Sequence, residues 1–302
     1  DARRRDFTLN AMSREAGGKI HDFTGGWQDA RDGNIRFVGD PRERIREDTL
    51  RILRFFRFLA THGRVLPDEM ALAACHEAAG HLKDLSRERI WKELKKLLAA
   101  PNPGPVWKMM QDAGVAQKIL PEAHGARLEK LAELEKHFFS AALRLRQGFG
   151  GQGDPLLRLA VLVHGNQTEA EMLQAQFALS HVEARILGFF LDFSPEKQAP
   201  FTPKKLHALA YYYGLDITGK FLLMGGVFGA HFDWDSVADV LQKTEVKSFP
   251  LKGEDVVGLG VSPGPRVGEI LRQTEAWWID QDLVPDREAC LEKASKLARQ
   301  SE

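Results

Sequence analysis

The chain has 302 residues, and its 42 lysines and arginines are matched by 42 aspartates and glutamates, so it carries no net charge at neutral pH. Such a balance excludes global attraction to nucleic acid and leaves that task to a local basic patch. Two cysteines far apart, Cys75 and Cys290, exclude a disulfide framework and suit a reducing cytoplasm, and the longest apolar run, FLLMGGVFGAHF, is too short and Gly-rich to span a bilayer.

Charge is unevenly placed along this neutral chain. Residues 1–60 hold 13 Lys and Arg against 10 Asp and Glu, whereas residues 215–302 hold 10 against 15. The basic excess therefore lies at the front, and it is almost all arginine. In chain order, DARRRDFTLNAM opens with three arginines and an aspartate, and Asp6 is placed to cap a helix over FTLNAMSRE. KIHDF and NIRFV then read as short strands, separated by Gly25-Gly26 and Asp32-Gly33 turn signals. From Pro41 onward the pattern is helical. RERIREDTLRILRFFRFLATHG predicts one long helix ending at Gly63, and SRERIWKELKKLLAAP a second, with Ser86 as N-cap and Pro101 as stop. Ser180 with Glu183 predicts a capping box, and Thr202-Pro203 opens a helix that Gly214 closes. RQGFGGQGDP, residues 146–155, breaks the helical texture and marks a boundary.

The richest stretch chemically is PRERIREDTLRILRFFRF, residues 41–58. Asp48, Arg51, Arg54 and Arg57 recur every three residues, which on a helix makes successive members neighbours. Three stacked cations repel one another unless anions intervene. A solvated face with the arginines paired to Glu43, Glu47 and Asp48 would satisfy that need. The opposite side, with Leu50, Leu53, Phe56 and Phe58, is strongly apolar, which embeds the helix and turns the arginines towards a cleft. Arginine forks bind phosphate oxygens bidentately, and an Asp beside an Arg offers an acceptor next to a donor. Cytosine and adenine present an amino donor beside a ring-nitrogen acceptor and match that pair. Guanine and uracil carry a carbonyl in place of the amino group and do not. The pair therefore predicts selectivity for C and A.

RRRDFTLNAM and REDTLRILRFFRF together resemble two signature motifs of the class II tRNA nucleotidyltransferases (CCA-adding enzymes) and the related bacterial poly(A) polymerases. The first resembles the ribose-recognition motif R-R-D-F-T-x-N-A, the second the nucleotide-template motif E-D-x-x-R. HDFTGGWQDARDGNIRFVGDP, LSRERIWKELKKLL and PLKGEDVVGLGVSPGPRVGEIL are similar to the Asp/Gly-rich connection, the neck helix and a tail segment of the same family. The resemblance implies a mostly α fold: a short β remnant of a nucleotidyltransferase head over residues 1–45, a helical neck and body over 46–145, and a helical tail over 146–302. It implies that Arg5 and Asp6 contact the incoming nucleotide's phosphate and ribose, that Asp48 and Arg51 read the base, and that Arg54 and Arg57 add nucleotide contacts. Arg3 and Arg4 would face RNA phosphate or solvent. It further implies CTP, ATP and tRNA as partners, without a membrane, and Mg2+ as the cofactor. The family's metal-binding carboxylates precede the first motif, so they are expected upstream of Asp1 and the chain is expected to be inactive alone.

Two other motifs lead elsewhere. GFGGQG, residues 148–153, matches G-x-G-x-x-G but lacks the flanking strand and helix of a dinucleotide site. His21-Asp22 is an HD pair without the further ligands a phosphohydrolase needs, since LAVLVHG ends in Gly165 where Asp would be required; Asp233 and Asp235 lie too far along the chain to replace catalytic carboxylates. The alternatives are a poly(A) polymerase using ATP alone, or a non-catalytic helical RNA-binding protein.

Overall fold

The computed structural model describes residues 2–101, 103–142, 153–193 and 201–299. It is mostly α, with one two-stranded antiparallel sheet in which β1 (Ser13–Arg14) pairs with β2 (Ile20–His21). The described residues fall into two compact units, one of residues 2–139, 153–193 and 223–230, the other of 140–142, 201–222 and 231–299. The boundary expected at residue 146 lies outside the described residues, as does most of GFGGQG.

The first unit begins differently from the sequence expectation. FTLNAMSRE is not a helix. Phe7 is extended (φ −117°, ψ 149°) and bridges Phe37, a single 3-10 turn covers Thr8–Asn10, and β1 follows. The backbone is drawn sideways because the Phe7 ring is fully buried, 4.9 Å from Phe37 and 5.1 Å from Phe58, and the Thr8 N–H donates to the Arg36 carbonyl at 3.0 Å. NIRFV contributes only that bridge rather than a strand. Between the two glycine turns lies a helix that periodicity did not reveal, α1 (Gly26–Asp32), too short for an amphipathic stripe to register. Asp22 starts it by accepting from the N–H groups of Thr24, Gly26 and Trp27. Gly26 is required there because a Cβ would sit 2.0 Å from the Thr8 carbonyl oxygen.

The long helix expected from residue 42 to Gly63 is two helices. α2 (Pro41–Glu47) starts from Asp40, whose side chain caps the Glu43 N–H, and α3 (Arg51–His62) ends at Gly63. Asp48 lies in the break with φ −156° and ψ 106°, and its Oδ1 accepts the Leu50 N–H at 3.2 Å. A short carboxylate that bonds the backbone locally competes with helix continuation, which is why the chain turns at this residue. Leu50, Leu53, Phe56 and Phe58 are buried, as the apolar pattern requires.

The unit continues with α4 (Glu69–Ala78), a 3-10 turn (Ala79–Asp84) and α5 (Arg87–Leu98), where Ser86 holds the cap position without a side-chain cap bond. Then come α6 (Pro103–Asp112), α7 (Ala116–Ile119), α8 (Gly125–Ala142), α9 (Pro155–Val163), α10 (Gln167–Phe177) and α11 (His181–Leu191). The Ser180–Glu183 capping box forms at the start of α11. Arg158 of α9 is buried, pairs with Glu135 of α8, and donates to the Leu98 and Ala100 carbonyls at the end of α5. One guanidinium thus satisfies helix-end carbonyls that would otherwise be buried without donors.

α12 (Pro203–Val227) is interrupted at Gly214 (φ 80°, ψ 165°), the residue expected to end it. α13 (Trp234–Lys243) is capped by Asp233, and α14 (Gly253–Val257), α15 (Pro265–Asp280) and α16 (Arg287–Arg299) follow. The core of the second unit gathers Val256, Ile270, Leu283 and Cys290 around Trp278, with Tyr211 and Phe249 edge-on to its ring.

Candidate functional site

Burial along α3 repeats every three residues. Ile52, Leu53, Phe55, Phe56, Phe58 and Leu59 are buried, while Arg51, Arg54 and Arg57 are half-buried on the remaining face. The aromatic cluster of Phe7, Phe37, Phe55 and Phe58 pins the N-terminal segment against this helix. Asp6, next to Phe7, is consequently carried onto the arginine face.

There Arg54 grips Asp6, with Nε and Nη2 at 2.6 and 2.5 Å from Oδ2. Asp6 Oδ1 accepts from the Phe7 N–H and the Asn10 amide, so both oxygens have donors and the buried charge is compensated. Asp6 is therefore not a helix cap. It fastens the segment before Phe7 to the middle of α3.

One turn further on, Arg57 Nε lies 2.9 Å from Oε2 of the buried Glu93 on α5. The angle falls outside hydrogen-bond geometry, so neither atom has a hydrogen-bond partner and the attraction is purely that of an ion pair. The guanidinium also lies over the Phe58 ring, 4.3 Å from its centroid. Burial depresses the Arg57 pKa, Glu93 opposes that shift, and the neighbouring Arg54 adds to it. Arg54 Nη1 is 3.8 Å from Glu93, so a single buried carboxylate separates the two like charges.

The other end of the row is organised by exposed acids. Arg51 Nη1 donates to Glu47 at 2.6 Å and to the Arg44 carbonyl at 2.8 Å, and Nη2 reaches the Arg4 carbonyl at 3.4 Å. Arg44 in turn donates to the Arg3 carbonyl at 3.2 Å and pairs with Glu47. Residues 3 and 4 thus lend their carbonyls to this face while their side chains stay exposed, as does that of Arg5. Asp48 is turned to Arg89 of α5, whose Nη2 lies 3.0 and 2.8 Å from its two oxygens.

The structure therefore brings Asp6, Arg51, Arg54 and Arg57 onto one face with Asp48 at its upper edge. It does not place Asp48 and Arg51 as successive turns of one helix, because the break intervenes. Sequence reasoning missed Arg89 and Glu93. One signal was present: Glu93 falls at i+3 from Ile90, on the apolar stripe of α5, where an unpaired acid would be costly.

The remaining motifs have structural roles. Asp22 is held at a pKa of about 2 by backbone donors, first Trp27 and then Thr24, and His21 contacts Glu15. Among the described residues no group of three or more His, Cys, Asp or Glu is placed to hold a metal ion. No described helix is long and apolar enough to cross a membrane.

Comparison with known proteins gives a consistent result. Residues 1–36 match the model described as the poly A polymerase head domain, and residues 67–126 match the probable RNA and SrmB-binding site of polymerase A. The chain is 30% identical over 302 residues to a CCA-adding enzyme of Streptococcus gordonii, covering 96% of this chain and 70% of that one. It is 31% identical over 290 residues to the mitochondrial CCA tRNA nucleotidyltransferase 1 of Mus musculus, covering 92% of this chain and 62% of the relative's length. In structure it is similar to the Bacillus stearothermophilus CCA-adding enzyme in complex with CTP (TM-score 0.67, 22% identity, 99% of this chain and 74% of that one). It is also similar to the Thermotoga maritima CCA-adding enzyme complexed with tRNA (TM-score 0.66, 21% identity, 100% of this chain and 73% of that one).

Proposed function

The chain belongs to the CCA-adding enzyme and poly(A) polymerase family, and from that premise we propose that it serves a tRNA nucleotidyltransferase adding C and A to tRNA 3′ ends from CTP and ATP. One observation carries the reading: two separate stretches, 3–6 and 44–57, converge on one face, where Arg51 reaches the Arg4 carbonyl and Arg54 the Asp6 carboxylate. In this reading residues 1–45 close the head, 46–145 form the neck and body, and 146–302 form the tail. By compactness α9–α11 pack with the neck and body. Body and tail would hold tRNA through its shape and phosphates. The two free, buried cysteines suit a reducing compartment such as the cytoplasm.

Each residue then has a task. Asp48 accepts the amino group of cytosine or adenine, and Arg51 donates to the adjacent ring nitrogen. Such a two-bond pairing discriminates by about 1–3 kcal/mol per base. The exposed Arg5 meets the triphosphate, and Asp6, besides its ribose contact, holds Arg54 on the shared face. Arg57, clamped by Glu93, keeps the row's positive field facing the nucleotide. The Mg2+ implied by the family would neutralise the triphosphate and activate the attacking 3′-hydroxyl. The described residues do not fit such an ion, since no group of three or more His, Cys, Asp or Glu among them is placed to hold one.

Equilibrium binding of CTP, ATP, UTP and GTP tests the base-reading role. CTP and ATP are expected to bind more tightly than UTP and GTP, and Arg51→Ala is expected to erase the difference. If Arg51→Ala leaves CTP and ATP binding intact and weakens RNA binding uniformly, the chain is an RNA-binding protein instead. Incorporation of CTP and ATP by the full-length protein into a tRNA lacking its terminal CCA tests the product. The family models' descriptions favour poly(A) addition as a second reading, and ATP incorporation without CTP incorporation would establish it.

A further inference from the structure

We infer that Arg89 is a specificity-determining residue that competes with the nucleobase for Asp48; the inference rests on the base-reading role of Asp48 proposed above. Arg89 lies on α5, 41 residues along the chain from Asp48, and one of its nitrogens, Nη2, meets both carboxylate oxygens at 3.0 and 2.8 Å. Oδ1 additionally accepts the Leu50 N–H at 3.2 Å, which fixes the plane of the carboxylate within the helix break. In this arrangement both oxygens already have a cationic donor. An amino group of cytosine or adenine must displace or share it before Asp48 can report on the base. The guanidinium of Arg51, the other half of the reading pair, donates to Glu47 and to the Arg44 and Arg4 carbonyls rather than to the Asp48 carboxylate, and only the Arg51 backbone N–H reaches Asp48, at its carbonyl oxygen, 3.0 Å away.

The competition is of the right strength to tune selectivity without blocking the site. Arg89 and Asp48 are 47% and 34% exposed in their side chains, so their ion pair is a surface pair that water and salt screen. By contrast, the carboxylates that hold Arg54 and Arg57 are 8% and 4% exposed and do not exchange so cheaply. A nucleobase that uses Asp48 meets the cost of parting the pair. Uracil and guanine, which offer Asp48 no amino donor at the matching position, gain nothing from its release. Arg89 thus lowers affinity selectively for the bases the site reads, and removing it should sharpen the preference for C and A.

Affinities of CTP, ATP, UTP and GTP for the chain and for Arg89→Met test this. The expected result is about fivefold tighter CTP and ATP binding, equivalent to about 1 kcal/mol, with UTP and GTP unchanged. A second measurement does not depend on the variant folding. In the unmodified chain, raising salt from low to about 0.5 M should increase the ratio of CTP to UTP affinity, because the triphosphate contribution cancels in the ratio while the Asp48–Arg89 pair is screened. Weaker or unchanged CTP binding in Arg89→Met, or a CTP to UTP ratio that falls or stays level with salt, overturns the competition. Asp48→Asn separates the two levels. If it weakens CTP and ATP binding while Arg89→Met fails to strengthen it, base reading stands and only the role of Arg89 falls. Unchanged CTP binding in Asp48→Asn removes both.

Discussion

The two ends of the arginine row use the same chemistry for opposite purposes. At the lower end, Arg54 and Arg57 meet Asp6 and Glu93, carboxylates only 8% and 4% exposed. At the upper end, Arg51 meets Glu47 and Arg89 meets Asp48, carboxylates 47% and 34% exposed. An isolated charge in the interior costs several kcal/mol, so the lower pairs cannot part without unfolding part of the unit. Exposed pairs are worth only up to about 1 kcal/mol and can change partners. A single helix face therefore carries a fixed anchor at one end and exchangeable contacts at the other, and burial of the acid decides which is which.

Removing a buried acid should show the largest effect. Glu93→Gln leaves the half-buried Arg57 without that counter-charge and puts a neutral amide between two guanidinium groups. Loss of one partner of a buried pair costs about 3–5 kcal/mol. Chemical denaturation of the first unit should show a loss of that order, and the double variant Glu93→Met with Arg57→Met should recover most of it. A loss under 1 kcal/mol would mean that the lower end is no more fixed than the upper. Asp6→Asn should follow at about 2–3 kcal/mol, since the amide keeps the shape but can no longer accept at both positions. Its effect should appear with loss of the Phe7 anchor, read by increased hydrogen exchange of the Thr8 and Val38 amides, which donate to the Arg36 and Asp6 carbonyls.

A pH experiment extends the contrast to the joint between α5 and α11. Burial alone would raise the Glu183 pKa, but hydrogen bonds from Lys95, Ser180 and Trp91 outweigh it and bring the group from its ordinary 4.5 down to about 2. A carboxylate depressed on folding contributes stability that is fully present above its unfolded pKa and is lost as pH falls towards its folded value. The contribution should therefore be complete above about pH 5 and should fade between about pH 4 and 2. Glu183→Gln should be less stable near neutrality and should show a flatter acid limb over that window. An unchanged acid limb would show that the joint does not depend on the carboxylate's charge.

These contrasts explain which features could be read from the sequence. Local rules placed Pro41 at a helix start, Gly63 at a helix end, the Ser180–Glu183 box and the Gly214 break, because each depends on neighbours within a few residues. The apolar side of α3 was legible for the same reason. The break at Asp48 was not, because a three-residue recurrence looks identical whether or not the first member lies inside the helix. α1 escaped for want of length, and FTLNAMSRE read as helix because the competitor was a long-range aromatic cluster closed by Phe37 and Phe55. Candidate residues Asp6 and Arg51 to Arg57 were visible as a pattern. Their partners were not, since Glu93 and Arg89 are 36 and 41 residues from Arg57 and Asp48 and only the packing of α3 on α5 selects them.

The smallest stability effect should accompany the most specific functional one. Asp48→Asn parts an exposed ion pair and weakens one turn bond, so it should change folding stability by no more than about 1 kcal/mol. The same substitution exchanges one carboxylate oxygen for an amide donor. That donor faces the amino group of cytosine or adenine as a like partner, and it matches the carbonyl of uracil or guanine instead. Relative affinity should shift from CTP and ATP towards UTP and GTP by about tenfold or more, a value set by 1–3 kcal/mol per two-bond pairing. Competition binding of the four nucleotides measures it directly. A variant that lost stability like Glu93→Gln yet kept its preference for C and A would place Asp48 with the fixed anchors, and the division of the row would be wrong.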